Sequence, residues 1–147
     1  TASENMVLDT IKSRTQVINF PSQSLIIQNV LEQKGSLKTD AMIISNIVSD
    51  IEDARTLAKD SQFLDGIKTV KKFSNLLIDS RSDAFLQATN LALCFKDKKS
   101  QGLAFKLLTI FLTKACQPQL VAQVFTAQKY WRANVNFQSC IEKISLA

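Results

Sequence analysis

A chain of 147 residues, 46% of them hydrophobic and 21% charged, has the usual length of one domain and enough apolar surface to offset the ordering entropy of folding. Three glycines and two prolines exclude a collagen-like repeat and a turn-dense β-sandwich. Eighteen Lys and Arg against thirteen Asp and Glu give a net charge of +5, which bears on partners and not on fold.

Helical spacing runs the length of the chain, and strand-like alternation never persists. The expectation is an all-α fold: one domain over 1–147, of seven to eight antiparallel helices. The first segment, Ser3 to Ile18, sets Val7, Leu8, Ile11 and Ile18 near one stripe, and Phe20-Pro21 breaks it. Ser22 or Ser24 caps a second helix carrying Leu25, Ile26, Val30 and Leu31, which Lys34-Gly35 ends. A third begins at Thr39-Asp40; Ile43, Ile44, Ile47, Val48, Ile51, Ala54 and Ala58 predict one amphipathic helix of about five turns. Its opposite face carries Ser49, Asp53 and Lys59.

A fourth helix follows Asp60-Ser61 and runs to Asp79, with Gly66 weakening an early turn. The link Asp79-Ser80-Arg81-Ser82 leads into a fifth, from Asp83 to Phe95. The sixth, Ser100 to Ala115, is apolar on nearly every side, yet shorter than the roughly 20 residues of a membrane span. It reads as a central helix packed by its neighbours, or as one shielded by a second copy of the chain. Gln117-Pro118 opens a seventh with Leu120, Val121, Val124 and Phe125 inward, and Ala133 to Leu146 forms the last. Short connections predict either a bundle around one core or a short HEAT- or armadillo-like stack of helix pairs. Most of the nine phenylalanines, among them Phe63, Phe73, Phe85, Phe95, Phe105, Phe111 and Phe125, belong to the core on this pattern.

The chain has no histidine, so Ser-His-Asp and Cys-His sites cannot be assembled within it. Its isolated glycines form no phosphate-cradling loop, and Asp50, Glu52 and Asp53 beside Arg55 read as a charge-balanced helix face. Cys94, Cys116 and Cys140 form no CxxC unit, so no structural zinc site is expected. No cofactor and no enzymatic activity are expected. The odd cysteine count and the lack of an N-x-S/T sequon favour reduced thiols in an intracellular protein, cytoplasmic or nuclear. A secreted form would carry a Cys116–Cys140 bridge. The start at Thr1 reads as an excised domain or a processed chain.

Two features point to a partner. Lysines gather at Lys68, Lys71 and Lys72 on the fourth helix and at Lys96, Lys98, Lys99 and Lys106 around the fifth turn. Against a binding role, Lys98 and Lys99 fall near the end of helix five, where the helix dipole itself favours cations. The second feature is Lys129-Tyr130-Trp131-Arg132, which holds the single Trp and single Tyr between two cations. Those residue types recur as interface hot spots, with Trp131 and Tyr130 lining a groove and Lys129 and Arg132 receiving acidic groups. An ordinary Trp covering the bundle's end with its N–H in water is the alternative. The expected function is a non-catalytic interaction module, an adaptor that takes a helix or extended acidic and apolar segment of another protein. A secreted helical carrier with an apolar cavity and a basic nucleic-acid-binding domain are the alternatives. Only four arginines and no exposed aromatic ladder count against the latter.

Overall fold

The computed structural model describes residues 22–79 and 82–146, so the expected helix from Ser3 to Ile18 lies outside the described residues. Among those residues there are eight helices and no strand: α1 (Gln23–Gln33), α2 (Lys38–Ile47), α3 (Ile51–Lys59), α4 (Ser61–Ile78), α5 (Asp83–Cys94), α6 (Lys98–Lys114), α7 (Pro118–Arg132) and α8 (Phe137–Ser145).

The five-turn helix expected from Thr39 onward is two helices. Val48 and Asp50 take extended backbone angles, and the Asp50 carboxylate accepts hydrogen bonds from the N–H groups of Glu52 and Asp53. The apolar spacing continues across this break because both halves bury the same side, Ile43, Ile44 and Ile47 before it and Ala54 after it. Spacing therefore hid a cap that competes locally with helix continuation. Ser22 before α1 and Ser82 before α5 stand at the cap positions but make no side-chain capping hydrogen bond, whereas three other marks read as expected. Gly35 lies at φ +90°, in the left-handed region that ends α1, and Pro118 occupies the first position of α7. Asp60 caps α4 through the N–H groups of Gln62 and Phe63.

The helices form a bundle and not a stack of pairs. α4, α5, α8, α7 and α6 close a ring in which each packs against two others, and α5 meets α8 far along the chain. In a stack, each pair would touch only the next. α1, α2 and α3 pack on one another and join the ring where α2 meets α6 and α3 meets α4. α6 is the central helix. Leu107, Leu108 and Leu112 are wholly buried by the chain's own α2, α4 and α7, so α6 needs no second copy to cover it.

Phe63, Phe73, Phe95, Phe105 and Phe137 fill the core, but Phe85 and Phe125 do not: they are 40% and 50% exposed. α7 buries Val124 and Ala127, which turns Phe125 outward. No helix among the described residues is long and apolar enough to cross a membrane.

Candidate functional site

The antiparallel pairing of α6 and α7 brings the start of one beside the end of the other. Lys98, in the first turn of α6, donates from Nζ to Asn134 Oδ1 at 2.8 Å, just past α7. The same Nζ stands 5.7 Å from the centroid of the Trp131 ring, within reach of a cation–π attraction. Trp131 Nε1 donates to Gln101 Oε1 at 2.9 Å, and Gln101 in turn donates from Nε2 to the carbonyls of Phe95 and Lys96. Below, the Trp131 ring packs on Phe105 with centroids 5.4 Å apart, and Phe105 meets Phe137 edge-on. The indole is thus clamped between a glutamine bridge and an aromatic stack. Its N–H is spent on the protein and not on water.

Tyr130 and Trp131 do not line one groove. Adjacent helical residues point about 100° apart, and the Tyr130 ring lies under Lys143 of α8, 4.2 Å from its Nζ. Asn134, at φ +67°, turns the chain out of α7 and leaves Val135 exposed beside this end.

Lys98 and Lys99 sit in the first turn of α6, not at the end of α5, so the dipole argument runs the other way. The positive end of α6 repels them. Asp97 offsets that repulsion: its carboxylate accepts from the Ser100 N–H at 2.8 Å, and the Ser100 hydrogen bonds hold its pKa below the usual 3.8. Lys99 is drawn toward α3, where its Nζ lies 3.1 Å from Asp53. Lys96 is exposed in the preceding turn, and Lys129 and Arg132 occupy the last turn of α7. Five of the expected cations therefore share one end of the bundle.

The remaining lysines do not join them. Gln62 reaches the Cys94 carbonyl, which places the start of α4 beside the end of α5. Lys71 and Lys72 are about ten residues further on, roughly 15 Å along the α4 axis and exposed. Lys68 pairs with Asp65 at 2.9 Å, and that hydrogen bond, aided by the aspartate's charge, raises its pKa. Lys106 serves the fold: its Nζ donates to the Ile47 carbonyl at 2.9 Å and fastens the end of α2 to α6.

All three cysteines are free thiols, so the Cys116–Cys140 bridge of a secreted form is not made. Cys140 is buried, which pushes its thiol pKa up, while Cys116 is exposed. Among the described residues no three His, Cys, Asp or Glu side chains stand close enough to hold a metal ion. Reading by spacing missed Gln101, Asn134 and Lys143, because each acts through a partner brought close only by the fold. Compared with known proteins, the chain matches no family model, no curated protein and no solved structure.

Proposed function

We propose that the chain is a non-catalytic interaction module whose basic end, at the start of α6 and the close of α7, takes an acidic and partly apolar segment of another protein. The observation that supports this reading is that Lys96, Lys98, Lys99, Lys129 and Arg132 share one end of the bundle, with Lys98 over an indole already held by Gln101. Five cations outnumber Asp53, Asp60 and Asp97, the acids that accompany them. A clamped ring has little rotamer freedom left to lose on binding, which favours affinity. Exposed Tyr130 and Val135 add apolar contact at the margin. Lys98 exchanges Asn134 for a carboxylate at small cost, since both are hydrogen-bond acceptors. An intracellular setting for such an adaptor rests on the odd cysteine count of the sequence.

Selection of phage-displayed random peptides on the intact chain tests the reading. The expected outcome is a consensus that interleaves Asp or Glu with apolar residues. Its affinity falls tenfold or more in the Lys98→Glu/Arg132→Glu variant and weakens with added salt. Selected peptides without acids, or equal binding to the variant, would overturn it. So would failure to select any peptide alongside duplex DNA binding that drops steeply between about 50 and 200 mM salt.

A further inference from the structure

A second cleft lies away from the basic end, among the turn from α1 to α2, the first turn of α2 and the close of α3. It has a volume of about 290 Å³; buried Leu31 and Ile44 floor it, and Leu37 and Leu64 form apolar walls. Lys34, Arg55 and Lys59 bring three cations to that lining, against one acid, Asp40.

These cations are only partly used by the chain. Lys34 and Lys59 form no ion pair among the described residues. The C-terminal ends of α1 and α3 absorb part of their charge. Arg55 gives Nη1 to Glu52, while its Nε–H is shut away from solvent with no acceptor among the described residues. Leu37, the residue just before α2, has no side-chain acceptor for the helix's first N–H groups, and it stands 70% exposed at the rim. An apolar floor and rim beside three cations and one acid is complementary to an amphipathic ligand of negative charge.

The geometry points to a second binding site, which receives a peptide segment of a partner protein carrying an aspartate or glutamate next to a large apolar side chain. The apolar side chain packs on Leu37 and Leu64. The carboxylate settles on the α3 side, between Lys59 and Arg55 and within reach of Lys34, because Asp40 repels it from α2. The volume suits one large side chain and one acid group, at the low end of small-ligand sites, which span roughly 300–1,000 Å³. This site does not rest on the reading of the basic end. It sits in the other region of the molecule and uses different residues.

The test is a titration of the ¹⁵N-labelled full chain with acetyl-Glu-Leu-Glu-Leu-Glu-amide and with its glutamine counterpart, followed by amide chemical shifts. The expected result is shifts centred on Gly35, Leu37 and Ala58 with the acidic peptide, and affinity at least tenfold weaker for the glutamine peptide. Lys34→Glu/Lys59→Glu, both surface changes, lowers that affinity at least tenfold, and Lys98→Glu leaves these shifts in place. Shifts confined to Trp131 and Asn134 would assign the peptide to the basic end alone and overturn the second site. It falls equally if the glutamine peptide binds as well, if the double variant binds unchanged, or if no amide shifts. Cross-peaks from residues 1–21 to Leu37 in the free protein would give the cleft to the chain's own N-terminal segment, and would also overturn it.

Discussion

The two regions of the molecule hold themselves together differently. In α4–α8 every helix has two neighbours within the ring, and its buried residues, from Phe63 to Ile144, meet inside it. α1–α3 is a smaller triad whose buried residues, Ile27, Leu31, Ala41 and Ile44 among them, continue the same core, but it joins the ring through fewer contacts than the ring helices make with one another. Lys106 on the Ile47 carbonyl and Lys99 on Asp53 are two of these. A closed ring spreads the loss of one contact over many, whereas a leaning triad concentrates it at the seam. The ring should therefore set global stability, and the triad should open first.

Truncating the ring core is the severest way to break this contrast. Leu108→Ala, at a wholly buried position, lowers the unfolding free energy by about 2–5 kcal/mol in urea titrations and shifts the whole cooperative transition. The helical glycines give the next effect, with opposite signs. A Cβ at Gly66 would lie 2.8 Å from Cζ of buried Phe95, so Gly66→Ala costs about 1–3 kcal/mol despite better helix propensity. At Gly102 the nearest atom belongs to Trp131 at 3.5 Å, an ordinary contact, so Gly102→Ala stabilises by up to about 1 kcal/mol in the same assay.

Cutting the seam sharpens the comparison. Lys106→Met removes a donor from the Ile47 carbonyl and costs about 0.5–1.5 kcal/mol. Hydrogen exchange then quickens in α1–α3 and stays unchanged in α4–α8; uniform quickening would mean the regions open as one. The smallest effect is at the Asp97 cap. Its folded pKa lies below its ordinary value, so the stability it lends is complete above 3.8 and is lost as pH falls through the lower folded value. Asp97→Asn therefore differs from the parent in urea midpoint at neutral pH, and the difference disappears in strong acid.

Much of this architecture was legible in the residues. α4 and α6 announce themselves by apolar spacing, and Gly35, Asp60 and Pro118 mark ends that the fold respects. The break at Val48–Asp50 was not legible, since two short helices burying one side leave the same spacing as a long one. Phe85 and Phe125 defeated the pattern because a phenylalanine one position off the buried stripe still looks periodic. The basic end was half legible. Its lysines and Lys129–Arg132 stood out by composition, but their meeting depends on Gln101 reaching Trp131 across thirty residues, and no local spacing carries that. Lys71 and Lys72 looked equivalent to the others until α4 placed them along its length.

Trp131 is the chain's one tryptophan, and it is wedged where the opening of α6 meets the finish of α7. Its fluorescence therefore comes from a single known spot. Packing on Phe105 keeps water from part of the ring, so loosening of that corner shifts the emission to the red. The molecule carries its own optical gauge of whether its basic end is intact.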